Sequence, residues 1–259
     1  MTTTVICAYH EGADPSFNDY IFRYPKIFLP ILGGSCYYKR GSNNFYDKLQ
    51  VDDTGENISN LVIYINEHAP LYWAYKHYEE IGNPDMIGLC HYRRFMDVDY
   101  ENLDPTKVYA NLVKASHYYR DSIIMDDTVF NTYANFCSDE ITEFYVDAYR
   151  NWFPEYVRDF DMVLNDITYY AKNMFIMNRE TFFEFMAYIV RVERMLFDPA
   201  LFKEACSIYF PAKHLRRLML THSRCRGFLL EMFTAVWFSR QKRIHNNVVN
   251  TEVLEFKRF

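Results

Sequence analysis

Short apolar runs alternate along the chain with longer stretches in which apolar residues recur at helical spacing. The runs typical of buried strands are TVICAY (4–9), MIGLC (86–90), DSIIM (121–125) and NMFIM (173–177). Helical spacing marks residues 59–80, 129–166, 179–197 and 226–242. Strands that alternate with helices predict an α/β fold with a mainly parallel central sheet flanked by helices.

Two prolines lie inside the predicted helices. Pro70 falls within 59–80, which predicts two helices or one helix kinked at that residue. Pro154 divides 129–166 in the same way. Because no repeat, low-complexity tract or linker interrupts the sequence, a single domain over residues 1–259 is the simplest organisation.

Composition excludes several classes of protein. Half of the 259 residues are hydrophobic, so the chain can bury a substantial core. The net charge of −6 argues against general nucleic-acid binding, which needs a basic surface. The six cysteines form no CxxC pair, and Cys7 and Cys90 lie in apolar runs, as buried reduced thiols do. No signal peptide or membrane-spanning run is visible, so we expect a cytoplasmic protein, with peripheral membrane contact as an open alternative.

The segment IGLCHYRRF (87–95) passes from an apolar strand directly into His91, Tyr92, Arg93 and Arg94. Arginine presents a planar fork of donors that matches phosphate oxygens, and histidine adds a further donor. In parallel sheets ligands bind beyond the carboxyl ends of the strands, and these four residues directly follow the carboxyl end of the predicted strand. Two interpretations stay open on local evidence: a phosphate grip that needs no metal, or a basic surface turn paired with nearby carboxylates.

The segment VDDTGENIS (51–59) places Asp52 and Asp53 before a glycine turn. A carboxylate there could accept hydrogen bonds from ribose hydroxyls or from a base. Asp-Asp-Thr-Gly is also ordinary turn chemistry, and local evidence favours that interpretation.

Glu231 lies in RGFLLEMF, a helical segment with apolar residues on most sides. Burial would raise the pKa of this carboxyl and suit it to general-base catalysis. Arg226 precedes it by five residues and so is not on quite the same helical face. Taken alone, a glutamate on the helix surface is the simpler interpretation.

Other candidate sites carry weaker signals. Residues 213–227 are basic and could meet a phosphate-bearing substrate or an anionic lipid surface, or form a solvated helix face. Asp97 and Asp99 form an Asp-x-Asp pair that could hold Mg²⁺ or Mn²⁺, although an isolated pair is a weak motif. The chain has no GxGxxG, Walker A, HExxH or GxSxG motif, which removes the simplest dehydrogenase, nucleotidase, metalloprotease and serine-hydrolase interpretations.

Taken together, these segments resemble one family, the bacterial glycosyltransferases of capsule and lipopolysaccharide clusters that carry the domain of unknown function 4422. The matching segments span nearly the whole chain and stand in the family's order: ICAYH (6–10), PILGG (30–34), DDTGENIS (52–59), EHAPLYWAYK (67–76), IGLCHYRR (87–94), NMFIM (173–177) and RGFLLE (226–231). Two features depart from the family pattern. Pro70 is expected to interrupt the helix from Glu67 to Trp73 and bend the acceptor side. The tail after the last helix is short, which would remove a membrane-association or partner segment.

The resemblance implies a GT-A-like, Rossmann-like nucleotide-diphospho-sugar transferase fold. Residues 1–125 would form the nucleotide-binding half and residues 126–259 the acceptor and catalytic half. The resemblance places these donor-binding residues: His10, Asp52, Asp53, His91, Tyr92, Arg93, Arg94 and Asn173. It places Trp73 and Arg226 on the acceptor side, and Glu231 where inverting enzymes keep a catalytic base.

The resemblance also implies the reaction and its partners. A hexose, with galactose in pyranose or furanose form as the first choice, would pass from a UDP-linked donor to a saccharide or lipid-linked saccharide acceptor. In related folds an Asp-x-Asp pair at the strand end holds a metal, and here cationic side chains fill that position. We therefore expect no required cofactor, with Mg²⁺ or Mn²⁺ on Asp97 and Asp99 as the alternative. A non-catalytic sugar-nucleotide-binding protein and a phosphodiesterase are the other interpretations.

Overall fold

The computed structural model describes residues 1–13, 21, 24–119, 122–125, 127–209 and 215–255, with the backbone alone at 117–119, 122–125, 206–209 and 215–223. The chain divides into two compact units. Unit 1 comprises Met1–Asn111, Asn173–Met186 and Asn247–Phe259, and unit 2 comprises Leu112–Lys172 and Ala187–Asn246. Neither unit is a continuous half of the chain. The predicted functional halves, 1–125 and 126–259, stay a prediction.

Eleven strands occur in the described residues. They are β1 (Thr3–Tyr9), β2 (Phe28–Leu32), β3 (Gln50–Val51), β4 (Met86–His91), β5 (Arg94–Met96), β6 (Val108–Lys114), β7 (Ser116–Tyr119), β8 (Ser122–Met125), β9 (Thr168–Asn178), β10 (Val248–Thr251) and β11 (Val253–Glu255). The central sheet has the order β10-β6-β9-β4-β1-β2-β3, and β5 pairs with both β4 and β11. The pairs around β1 are parallel, whereas β9 and β5 run antiparallel to β4. The prediction of a mainly parallel sheet flanked by helices is confirmed.

The predicted strands are all present, but one lies outside the central sheet. TVICAY, MIGLC and NMFIM lie in β1, β4 and β9. DSIIM supplies β8, which pairs with β7 in a separate antiparallel two-stranded sheet. Periodicity alone cannot distinguish these outcomes, because it reports burial and not the neighbouring strand.

The centre of the sheet is buried on both faces, which is why β1 and β4 read as unbroken apolar runs. Cys7 pairs in register with Cys90, and both are buried free thiols, as predicted. Gly88 lies where β4 meets β9, and a Cβ there would lie 2.6 Å from the carbonyl oxygen of Phe175. A side chain at this position would therefore separate the two strands.

The described helices are α1 (Val62–Ile65), α2 (His68–Lys76), α3 (Val129–Cys137), α4 (Asp139–Trp152), α5 (Val157–Asn165), α6 (Arg179–Leu196), α7 (Pro199–Tyr209) and α8 (Leu215–His245). Two helices replace the predicted 59–80 helix, but the break is at Asn66, whose φ is +50°, and not at Pro70. Pro70 is the third residue of α2, where its missing N–H has no helical partner to lose. The expected interruption by Pro70 is therefore wrong. Pro154 does divide α4 from α5, as predicted.

In unit 1, α2 and the first half of α6 lie together against the sheet. The ring of Phe182 lies 6.2 Å from that of Tyr75 and 6.4 Å from that of Phe175 on β9. The odd-numbered apolar side chains of β1 belong to a buried cluster that also includes Phe28, Tyr46 and Phe95. This packing holds the carboxyl ends of β1 and β4 in place.

Unit 2 has an aromatic core of its own. The ring of Tyr149 lies 4.4 Å from that of Phe233 and 4.6 Å from that of Phe153. Its hydroxyl lies 2.8 Å from that of Tyr188, which donates to the carbonyl of Phe233. In the same unit, the side chain of Asp159 is fully buried and pairs with Arg240 and Arg243. Much of the aromatic content in this unit is therefore structural.

Candidate functional site

The basic motif after β4 is a tight β-hairpin. His91 is the last residue of β4, Arg94 is the first of β5, and the two are paired in register. Tyr92 and Arg93 form the two-residue connection. We call residues His91–Arg94 the strand-end hairpin. It follows the carboxyl end of β4, beside the carboxyl end of the parallel strand β1.

Tyr92 brings three of the predicted donor-binding residues together. Its ring lies 5.3 Å from that of His10 in an edge-to-face arrangement and 5.7 Å from that of Tyr9. The guanidinium of Arg93 lies 5.8 Å from the Tyr92 ring, and both His10 and Arg93 are exposed. The hairpin and His10 therefore bring a cation, an imidazole and an aromatic ring together in unit 1.

Arg94 has a carboxylate partner within unit 1. Its Nε and Nη2 lie 3.0 and 2.9 Å from Oε1 of Glu255 on β11. The two residues are directly opposite each other in the antiparallel β5–β11 pair. Arg94 therefore has part of its charge offset within unit 1, which distinguishes it from Arg93.

A polar cluster lies at the end of β4 and the start of α2, and we call it the Glu67 cluster: Glu67, His68, His91 and Asn173. Asn173 Nδ2 donates to Glu67 Oε1 at 2.7 Å. His91 Nε2 lies 4.0 Å from the same oxygen. Glu67 is the residue that precedes α2, and His68 is its first helical residue.

His68 and Asn173 are the buried members of this cluster. The His68 residue is 1% exposed, and neither ring nitrogen has a hydrogen bond of normal geometry to a described residue. Burial lowers the pKa of His68, while the neighbouring Glu67 and Asn173 oppose this shift, so the ring is neutral at pH 7. Asn173 follows Lys172, and both adopt left-handed backbone angles, with φ of +51° and +64°. Such strain in non-glycine residues concentrates at functional sites.

Sequence reasoning assigned Asn173 and His91 but missed Glu67 and His68. Both lie in EHAPLYWAYK, where a Glu-His pair directly precedes a proline in the first turn of a helix. This arrangement could have indicated the two residues from the sequence, because a proline in the first turn marks a helix start and the preceding Glu-His pair places polar side chains there.

Asp52 is fully buried and points into unit 1. Its carboxylate accepts hydrogen bonds from the backbone N–H groups of Gly34 and Ser35 and from the hydroxyls of Ser35 and Ser59. Asp53, by contrast, is exposed. The carboxylate of Asp52 holds the PILGG segment to the following turn, and a role for either aspartate in nucleoside binding stays a prediction.

Trp73 is buried in unit 1 on α2. Its Nε1 donates to the hydroxyl of Thr54 at 2.9 Å, and its ring stacks on that of His77 at 4.8 Å. The indole also borders a cleft of about 420 Å³ whose lining includes Phe28 and Ile81. The acceptor-side role of Trp73 stays a prediction.

Glu231 is half-buried in unit 2 with an anchored carboxylate. Its Oε1 accepts a 2.6 Å hydrogen bond from the backbone N–H of Lys172. Burial, and then the negative charge of Glu231, raise the pKa of Tyr133, and the same two causes raise the pKa of Tyr169. The rings of the two tyrosines lie 5.6 Å apart. The carboxylate is therefore bordered by two phenols and oriented by a backbone donor.

Arg226 is buried in unit 2 and lies between two rings. Its guanidinium carbon lies 4.6 Å from the centre of the Phe197 ring and 4.7 Å from that of Phe202. Of the other basic residues in 213–227, Lys213 and His214 lie outside the described residues. The acceptor-side assignment of Arg226 stays a prediction.

Comparison with family models gives a match over most of the chain. Residues 17–242 match the model described as domain of unknown function DUF4422. The chain belongs to this family. Comparison with curated protein sequences gives no match.

Among solved structures, this DUF4422 protein is similar to the apo structure of the bifunctional glycosyltransferase WbbM. The TM-score is 0.66 and the sequence identity 13%. The alignment covers 100% of this chain but 46% of that chain, so the DUF4422 protein spans less than half the length of its structural relative. At this identity the likeness shows a shared fold.

The side chains of the strand-end hairpin in this DUF4422 protein do not fit a divalent cation. Mg²⁺ and Mn²⁺ prefer carboxylate oxygens, whereas the strand-end hairpin carries a histidine, a tyrosine and two arginines. Asp99 lies beyond β5 and accepts from Asn102 Nδ2 at 2.8 Å, which lowers the pKa of Asp99. Within the described residues, no group of three or more histidine, cysteine, aspartate or glutamate side chains is arranged so that it could hold a metal ion. None of the helices in the described part of the chain combines the length and the apolar character of a membrane span.

Proposed function

We propose that this DUF4422 protein is an inverting glycosyltransferase of GT-A-like fold. It moves a hexose, with galactose in pyranose or furanose form as the first candidate, from a UDP-linked donor. The acceptor is a saccharide or a lipid-linked saccharide in capsule or lipopolysaccharide synthesis. The observation that carries the proposal is the strand-end hairpin, a basic and aromatic group beyond the carboxyl ends of two parallel strands. Ligands bind at this edge in open α/β sheets.

In the proposed reaction the donor diphosphate lies against the hairpin. The exposed guanidinium of Arg93 binds phosphate oxygens, Arg94 adds positive potential, and the ring of His91 offers a further hydrogen-bond donor. The acceptor hydroxyl oxygen forms a bond to the anomeric carbon as the bond from that carbon to the diphosphate oxygen breaks. The departing UDP keeps the electron pair, and the cations stabilise its developing negative charge. No metal is required for this step.

Glu231 is the proposed general base, which takes the proton of the acceptor hydroxyl. The support is its anchored carboxylate, since the Lys172 N–H holds Oε1 and so orients the group. General-base catalysis requires such orientation and contributes about 100-fold or more to the rate.

Donor binding is tested by thermal shift with UDP and a panel of UDP-hexoses, because a ligand that binds only the folded state raises its melting temperature. Arg93→Ala should weaken UDP binding about 10-fold, the loss of roughly one charge-assisted hydrogen bond. Arg179→Ala is the matched control, since Arg179 also lies over a tyrosine ring, 5.3 Å from that of Tyr78, but follows the opposite end of the sheet. Equal UDP affinity in the Arg93→Ala and Arg179→Ala variants would contradict the proposal that Arg93 binds the donor diphosphate.

Transfer is then tested with the donor that binds. Glu231→Gln should keep donor affinity and lower kcat about 100-fold. The control is Glu143→Gln, at an exposed glutamate of α4. Transfer that is abolished by EDTA and restored by Mn²⁺ would contradict the metal-free step. Tight UDP binding with neither donor hydrolysis nor transfer would indicate a binding protein instead.

A further inference from the structure

The Glu67 cluster divides into a buried layer and a partly exposed layer. Asn173 and His68 are 3% and 1% exposed. The side chains of Glu67 and His91 are 10% and 18% exposed. A ligand at this edge of unit 1 can therefore touch Glu67 and His91, with Asn173 and His68 behind them.

In the buried layer Asn173 lies beside the His68 ring, but the two form no hydrogen bond of normal geometry. Asn173 Oδ1 and both ring nitrogens of His68 have no hydrogen bond of normal geometry. A buried polar atom without a partner loses its hydration and gains no hydrogen bond in return. Such atoms are therefore few in native proteins and mark a functional site or a buried water. The left-handed φ of Asn173 adds to that cost.

Glu67 itself is held by one oxygen and presents the other. Oε1 accepts the 2.7 Å bond from Asn173 and lies 4.0 Å from His91 Nε2. Oε2 accepts no hydrogen bond from the residues that the structure describes. The result is an oriented carboxylate with one oxygen available at the edge of a mostly buried site.

We propose that Glu67 binds hydroxyl groups of the transferred sugar, with Asn173 as its positioning residue. This inference rests on the proposed function. It assigns the sugar part of the donor to Glu67, which Asn173 orients, and leaves the diphosphate to the hairpin.

The charge of Glu67 decides which part of the donor it contacts. A carboxylate repels a diphosphate, so Glu67 cannot belong to the phosphate grip. The same carboxylate accepts strong hydrogen bonds from neutral hydroxyls. His91 belongs to both groups, because it is a hairpin residue and also lies beside Glu67 Oε1. The cluster and the hairpin therefore lie next to each other in unit 1, as the sugar and diphosphate of one donor do.

The experiment compares UDP with UDP-galactose and UDP-glucose by isothermal titration calorimetry. The measured quantity is the ratio of the Kd for UDP to the Kd for the preferred UDP-hexose. Glu67→Gln keeps the shape of the side chain but removes its charge, and Asn173→Ala removes the anchoring donor. The matched control is Glu80→Gln, because Glu80 also pairs with a histidine, His77 at 2.7 Å, but lies beyond the opposite end of α2.

We expect Glu67→Gln to bind UDP at least as tightly as the wild type, because a negative charge beside His91 is removed. The same variant should lose the preference for the UDP-hexose at least 10-fold. Asn173→Ala should lose part of the same preference, with unchanged UDP affinity, which a general loss of structure would not produce. Glu80→Gln should keep the wild-type ratio.

Four results would overturn the inference. The first is a wild-type ratio in Glu67→Gln, and the second is equal loss of UDP and UDP-hexose in that variant. The third is a wild type that binds UDP but prefers no UDP-hexose. In these three cases the proposed UDP site survives. The fourth is a wild type that binds neither UDP nor a UDP-hexose, which removes the proposed function as well.

Discussion

Arg94 and Glu255 form an ion pair in which Nε and Nη2 of the arginine lie 3.0 and 2.9 Å from the same carboxylate oxygen. The pair connects β5 to β11, at residues directly opposite each other in the sheet. It also gives the two arginines of the strand-end hairpin different electrostatic surroundings. Arg93 lies exposed beside Tyr92, whereas the positive charge of Arg94 is partly offset by its partner.

Glu255→Gln should therefore strengthen UDP binding by about 2- to 5-fold. The amide keeps a hydrogen-bond acceptor for Arg94 but removes a negative charge that is partly screened by solvent. Calorimetric titration with UDP at low and high salt measures the effect, which should shrink as salt is added. Glu252→Gln is the control at an exposed glutamate beside β11. Unchanged affinity at low salt would mean that Arg94 does not face the diphosphate.

Asp52→Asn should lower the free energy of unfolding by about 3 kcal/mol or more. The new amide would direct a donor toward the donors that now bind the carboxylate, two backbone N–H groups and two serine hydroxyls. Asp53→Asn, at the exposed neighbour, should change the free energy by about 0.5 kcal/mol or less. Urea unfolding of both variants measures the difference. Similar values for the two would contradict a structural role for Asp52.

Gly34→Ala should cost about 2–4 kcal/mol of stability. Gly34 has a φ of +71°, and a Cβ there would overlap the side chain of Val62, so backbone strain and crowding add. Gly41 is a matched control, because its φ is +83° but no atom lies within 4 Å of the position that a Cβ would take. Gly41→Ala should therefore cost about 1 kcal/mol, the strain alone. Chemical denaturation measures the free energy of unfolding of both variants. Equal decreases in Gly34→Ala and Gly41→Ala would show that crowding by Val62 is unimportant.

Glu193 should make the protein less stable as pH rises. Burial in unit 2 raises the pKa of Glu193 from 4.5 to about 8. Between these two values the folded state binds more protons than the unfolded state, so the free energy of unfolding falls as pH increases. Above the folded pKa the loss is complete and is on the order of a few kcal/mol.

Glu193→Gln should remove this part of the pH dependence and be the more stable protein near pH 8. Urea unfolding from pH 4.5 to 8.5 measures it for the wild type and the variant. Glu143→Gln, at an exposed glutamate of unit 2, should keep the wild-type profile. A parallel pH profile in wild type and Glu193→Gln would contradict a buried neutral carboxyl.

Local patterns were sufficient for most elements of the fold. The apolar runs at 4–9, 86–90 and 173–177 are strands of the central sheet, because a strand buried on both faces must be apolar throughout. Pro154 separates two helices for the equally local reason that it cannot continue the first. The prediction that Pro70 interrupts a helix was wrong, because the effect of a proline depends on its position. In the first turn of α2, Pro70 replaces an N–H that has no helical partner.

The sequence by itself determined that His91, Tyr92, Arg93 and Arg94 follow the end of a buried strand. Only the tertiary structure decided which partners they and their neighbours have. Asn173 bonds to Glu67 from 106 residues away, and Arg94 pairs with Glu255 across 161 residues. Hydrophobic periodicity reports which side of an element is buried, but these contacts depend on which strands become neighbours in the sheet. That choice is made by packing over the whole unit, so the Glu67 cluster became visible only in the folded chain.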